Sequence, residues 1–123
     1  MNDDHALARV LEPLYESILD PNRLDDFNVL LGQATHSHLT GILGHDLGCG
    51  RGSVARVVGA DVERMAEEMR PLDLNVDPWV SRAMPELATG RIFNSEDLLP
   101  NAQMRHTDVY NAYYRQFGVE QQV

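Results

Sequence analysis

Apolar positions along the chain first recur at helical spacing. Leu7, Val10, Leu11, Leu14 and Ile18 stack on one face of a helix. Asp3 or Asp4 can cap its start, and Asp20-Pro21-Asn22 ends it, because the residue before a proline is pushed out of helical geometry. Leu24, Phe27, Leu31 and Ala34 repeat the pattern, which predicts a second helix over 22–35 and hence an N-terminal helical hairpin. The period then changes. Residues 39–46 read as extended, and 53–58 form a β-branched run of strand length. Between them Leu47-Gly48-Cys49-Gly50-Arg51-Gly52 carries three glycines at alternating positions, which suits a β-hairpin connection with positive φ.

Helical spacing returns at Val62, Met65, Ala66 and Met69, with Asp61 as cap and Pro71 as stop. Asp77-Pro78-Trp79 is a helix start, aspartate capping and proline in the first helical position, and that helix runs toward Met84 and Pro85. Arg91-Ile92-Phe93 is predicted as a brief strand. Asn94-Ser95 caps a turn over 96–99 closed by Pro100, and one last helix holds Met104, Thr107, Val109, Tyr110, Tyr113, Tyr114 and Phe117, with Gly118 as its stop. Helices around two long strands and one short one predict an α+β fold. A sheet that small does not stand alone, so the chain is expected to be a fragment of a longer protein.

Length and charge narrow the function. One hundred and twenty-three residues suit a single domain, 1–123. Ten Lys and Arg against nineteen Asp and Glu leave a net charge of −9, which argues against contact with nucleic acid or an anionic membrane surface. No apolar run is long enough to span a bilayer, and the acidic start lacks the features of a secretion signal. Cys49 is alone, so no internal disulfide is available, and a cytoplasmic location is expected.

Candidate chemistry is sparse. Asp46-Leu47-Gly48-Cys49-Gly50-Arg51-Gly52 looks like the first motif of S-adenosylmethionine-dependent methyltransferases, and Asp61 sits where a ribose-binding acid would follow. A parallel second strand needs a crossover of about a dozen residues or more, and only 53–56 lie between the motif and Val57-Val58, so a hairpin turn is expected instead. His36, His38, His45 and Cys49 lack the paired spacing of a closed zinc site; no metal and no cofactor is expected. No nucleophile has a placed base, so no enzyme is expected. Trp79, the only tryptophan, suits either a core or the wall of a ligand pocket. Asp77 can cap a helix or accept a ligand hydrogen bond. Tyr110, Tyr113, Tyr114 and Phe117 lie on helical spacing, and Met65 and Met69 are adaptable apolar side chains suited to core or cavity.

A resemblance covers nearly the whole chain. Leu14-Tyr15-Glu16-Ser17-Ile18-Leu19-Asp20-Pro21-Asn22-Arg23-Leu24 opens it, and Asp77-Pro78-Trp79 follows. Gly90-Arg91-Ile92-Phe93-Asn94-Ser95-Glu96-Asp97-Leu98-Leu99-Pro100 and Thr107-Asp108-Val109-Tyr110-Asn111-Ala112-Tyr113-Tyr114-Arg115-Gln116-Phe117-Gly118-Val119 complete it. In that order these phrases resemble the N-terminal sensor region of LuxR-type bacterial transcriptional regulators, a PAS-like or GAF-like module. The resemblance implies an antiparallel sheet flanked by helices, a small-molecule pocket between them, a homodimer, and a helix-turn-helix DNA-binding domain further along, absent here. Asp77-Pro78 is also similar to acyl-homoserine-lactone receptors, where an aspartate binds the ligand amide, though their upstream Trp and Tyr have no evident counterpart. The candidate pocket is then Trp79, Tyr110, Asp77, Met65, Met69, Tyr113 and Tyr114, holding an unknown small molecule. The alternatives are a methyltransferase fragment and a pure dimerisation module using the Leu7-Val10-Leu14-Ile18 stripe.

Overall fold

The computed structural model describes residues 3–46 and 48–123. It is α+β, as its hydrophobic periodicities predict. The chain falls into two compact units: Met1–Gly44 with Ser53–Ala66, and His45–Gly52 with Glu67–Val123. Among the described residues no helix is long and apolar enough to cross a membrane.

The first unit is built on two helices, α1 (Asp3–Glu16) and α2 (Arg23–Thr35), which pack against each other as the expected hairpin. The residue ahead of Asp3 is outside the described residues, so the predicted capping of α1 is too. α1 ends earlier than the Asp20-Pro21 signal predicts. The Ser17 hydroxyl donates to the Leu14 carbonyl at 2.5 Å, and the Leu19 amide donates to Glu16 at 3.0 Å, so the chain turns before the proline. Side-chain hydroxyls that bond local carbonyls compete with helix propagation in this way. Ile18 therefore lies beyond the helix and is 81 % exposed. Arg23 joins the two helices through bonds to Glu16 and Asp26, and the Thr40 hydroxyl donates to the Asn28 carbonyl at 2.7 Å.

Strands β1 (Thr40–Asp46) and β2 (Arg51–Val58) make a two-stranded antiparallel sheet. The glycine-rich segment is the turn between them. The Gly50 amide donates to the Asp46 carbonyl at 2.9 Å, and the Gly48 amide donates to the Asp46 carboxylate at 2.9 Å. Gly50 has φ of +70°, and a Cβ there would sit 2.0 Å from Asp73 Oδ1, so both backbone and neighbour require glycine. Leu47 lies outside the described residues. β2 follows Gly50 directly, so no helix N-terminus stands where a methyltransferase loop would present one.

The predicted third strand at Arg91-Ile92-Phe93 does not form; these residues are open chain. A strand exists only by bonding a neighbouring backbone, and here the Arg91 amide turns back to the Ala88 carbonyl at 3.0 Å while Ile92 stays 79 % exposed. Helix α3 (Val62–Met69) follows β2, and Asp61 accepts from the Arg64 amide at 3.1 Å, as its cap position predicts.

The second unit carries short helices, α4 (Pro78–Ala83), α5 (Ser95–Leu98), α6 (Asn101–Met104) and α7 (Asp108–Ala112), with 3₁₀ turns at Leu74–Val76, Met84–Glu86 and Tyr114–Phe117. The single C-terminal helix predicted over these last aromatics is thus three pieces. Thr107 breaks it, because its hydroxyl accepts from the Tyr110 amide at 3.3 Å and starts a new helix. Tyr113 breaks it again, at φ −127° and ψ −66°. Gly118, at φ +68°, is the predicted stop. Leu74, Trp79, Leu99, Met104, Tyr110, Tyr113 and Val119 are buried within this unit.

Candidate functional site

Asp77 positions the site. It stands where the 3₁₀ turn Leu74–Val76 meets α4, and its Oδ1 accepts the Trp79 backbone N–H at 2.9 Å. Pro78 fills the first helical position, where its missing N–H costs nothing. The Asp-Pro-Trp sequence thereby fixes where α4 starts and places Trp79 in its first turn. The second carboxylate oxygen, Oδ2, accepts from the Tyr114 hydroxyl. Asp77 has no solvent exposure. Burial is the largest influence on its titration and pushes its pKa up, against the hydrogen bonds from Tyr114, Trp79 and Val80 and the nearby charge of His45, which pull it down.

Aromatic rings enclose this carboxyl. The Trp79 ring lies 4.8 Å from that of Tyr114, centroid to centroid, and Tyr113 packs edge-on at 5.2 Å from both Tyr114 and Phe117. Such tilted contacts match the quadrupoles of the rings. Burial raises the Tyr114 pKa strongly, with the Asp77 charge adding to it, and burial alone pushes Tyr113 up to about 12. All three hydroxyl and carboxyl groups are therefore biased toward their neutral forms.

Three polar atoms here are unmatched. Trp79 Nε1, the Tyr113 hydroxyl and His45 Nε2 are buried with no hydrogen-bond partner among the described residues. An indole N–H is a donor only, and a phenol can donate as well as accept. The site therefore combines a buried acid already engaged by Tyr114 with aromatic donors that lack an acceptor.

Four of the expected pocket residues, Asp77, Trp79, Tyr113 and Tyr114, are brought together. Tyr110 is buried on α7, where its backbone N–H donates to the Thr107 hydroxyl. Met69 is buried beside Gly52, where a Cβ would come within 2.5 Å of its sulfur. Met65 is buried in the first unit. Sequence reasoning weighed His45 only as a metal ligand and missed it as a charge felt by Asp77; thirty-two positions of separation leave no local signal for that. Among the described residues no group of His, Cys, Asp or Glu is arranged to hold a metal. His36, His38 and Cys49 are exposed, and His36 is the left-handed C-cap of α2. No family model matches this chain, and no curated protein or solved structure matches it either.

Proposed function

We propose that this chain is the ligand-sensing, PAS-like regulatory domain of a LuxR-type transcriptional regulator. It acts in the cytoplasm, is not an enzyme, and needs no cofactor. Its part is to bind a small molecule and pass the binding event to a helix-turn-helix domain that itself holds the DNA. The ordered phrases from Leu14 to Val119 support the family, and the Asp77 cluster supports the ligand. The observation that carries the reading is the pair of buried donors, Trp79 Nε1 and the Tyr113 hydroxyl, left without acceptors among the described residues, beside a buried carboxyl. Each unpaired buried donor costs about 1–3 kcal/mol, and a ligand carrying an acceptor, such as a carbonyl, recovers that cost on binding. Such a ligand shifts a conformational equilibrium only by its differential affinity for the two states.

The test is native mass spectrometry of the gently purified chain, with Trp79→Phe and Tyr113→Phe alongside. The expected result is a small-molecule adduct on the wild-type chain that both variants lose, since each deletes one donor while keeping an aromatic ring. An empty wild-type chain, with both variants at least as stable to urea, would reduce the donors to unpaired core groups and overturn the reading. A stoichiometric adduct with added S-adenosylmethionine would replace it with the methyltransferase one.

A further inference from the structure

His45 takes no part in the ligand reading, yet its place in the β-hairpin sets it beside the turn that Asp77 closes. β1 ends at Asp46 and β2 starts at Arg51, so the antiparallel pair sets His45 opposite Gly52. Gly44 keeps the same register against Ser53, since a Cβ there would lie 2.7 Å from the Ser53 hydroxyl. Opposite residues share a face of the sheet. A Cβ on Gly52 would meet Met69 Sδ at 2.5 Å and Leu74 Cδ1 at 2.7 Å, so the His45 side chain stands on the face turned toward Met69 and Leu74. Leu74 opens the 3₁₀ turn that Asp77 ends, and the Asp77 amide donates to the Leu74 carbonyl at 3.1 Å.

The end of the β-hairpin is fastened there. The Leu74 amide donates to the Gly50 carbonyl at 2.8 Å, and Arg51 Nη1 donates to the Arg70 carbonyl at 2.8 Å. His45 Nε2 is buried with no hydrogen-bond partner among the described residues, and the charge of His45 is felt at Asp77. A carboxylate offers about four acceptor positions; the Trp79 and Val80 amides and the Tyr114 hydroxyl leave room at Asp77 for one more donor. Other charged groups of these elements are bonded elsewhere or turned to solvent. Asp46 accepts the Gly48 amide, Asp73 accepts the Asn75 amide, and Arg82 on α4 donates to the Leu98 carbonyl. Glu67, Glu68 and Arg70 are exposed. On the C-terminal turn, Tyr113 and Tyr114 are biased by burial toward their neutral forms.

We propose that His45 is a proton-operated latch between the end of the β-hairpin and Asp77. With a neutral imidazole, the β-hairpin rests on Met69 and Leu74 through apolar contact. A proton taken up by the ring makes both its nitrogens donors. An unpaired buried N–H is costly, so Nε2–H closes onto the open acceptor position of the carboxylate. Because that carboxylate also caps α4 and holds Tyr114, acid ties the β-hairpin end, α4 and the C-terminal turn to one group. The latch needs no ligand, so it is independent of the sensing role proposed above.

Trp79 is the only tryptophan, and its amide is bonded to Asp77, so its fluorescence reads the latch. The experiment follows Trp79 emission of the whole chain from pH 8 down to pH 5, across the range in which imidazoles change charge, with circular dichroism to check folding. The wild type should show one step that fits the uptake of a single proton. His45→Gln, whose side chain takes up no proton, should lose the step. Asp77→Asn should lose it too, since it removes the anion and keeps a good cap, whereas His106→Gln should keep it. Proton–nitrogen NMR of the wild-type imidazoles gives a reading that needs no variant to fold: at pH 5 the His45 Nε2–H should exchange with solvent more slowly than that of the exposed His36. A step that survives in folded His45→Gln at the same pH would assign the titration to the Asp77 carboxyl alone and overturn the proposal. So would a flat wild-type curve, or a His45 Nε2–H that exchanges as fast as that of His36.

Discussion

The hairpin α1–α2 and the short-helix segment around Asp77 divide the work of the molecule in opposite ways. The hairpin has the longest helices, yet Pro13 and Asn28 are its only buried residues among those described, and Leu7 is 58 % exposed. The segment around Asp77 is made of helices four to six residues long, too short to be stable by themselves. It nevertheless holds most of the buried apolar side chains, from Leu74 and Trp79 to Met104 and Tyr113. Regularity and burial are therefore separate properties. Long helices satisfy their own backbone and can leave a face open, whereas short pieces depend on caps such as Asp77, Asn94 and Thr107 and on the core they enclose.

The largest effect should come from testing that contrast directly. Trp79→Ala removes the central ring of the short-helix core and should cost about 3–5 kcal/mol, read as a lowered urea midpoint. Leu7→Ala, on the longest helix, should stay within about 0.5 kcal/mol of wild type. Equal losses at the two positions would erase the distinction between the regions.

A smaller, pH-dependent effect should follow at the buried carboxyl. Because folding raises the Asp77 pKa, the unfolded chain releases this proton first. The stabilising contribution is fully present below about pH 4 and is lost as pH rises through the folded value. Tyr114→Phe deletes a hydrogen bond that favours the ionised form, so Asp77 should titrate higher still. The variant should lose about 1.5–3 kcal/mol at neutral pH and less at pH 4. Asp77→Asn keeps a good helix cap and should gain stability relative to wild type between pH 4 and 7. Parallel stability–pH curves for all three proteins would remove the carboxyl from the account.

The smallest effect concerns the hairpin. Asn28 is wholly buried, and both its amide oxygen and its amide nitrogen lack hydrogen-bond partners among the described residues. Asn28→Leu removes two unpaired polar atoms and should be neutral or stabilising by about 1 kcal/mol, seen as an unchanged or raised melting temperature. A marked drop would mean that the amide is paired after all.

Much of the fold was legible from local signals. The hairpin, both long strands, the glycine turn and the Asp61, Asp77 and Asn94 caps each rest on residues within a few positions of one another. The misreadings share one cause. Ser17, Thr107 and Tyr113 interrupt helices whose apolar spacing continues unbroken, because a hydroxyl bond or a single backbone angle overrides periodicity. Arg91-Ile92-Phe93 has strand-like residues but no neighbouring backbone to pair with.

The site divides the same way. The sequence by itself determined that Asp77 would cap α4 and that Trp79 would sit one step into that helix, since capping acts across two residues. Only the tertiary structure decided that Tyr114, thirty-seven positions away, would donate to the same carboxyl, and that the Trp79 and Tyr113 donors would be buried without partners among the described residues. Local geometry follows from covalent spacing and backbone hydrogen bonding; the company a buried group keeps follows from how distant segments pack, which no spacing in the chain records.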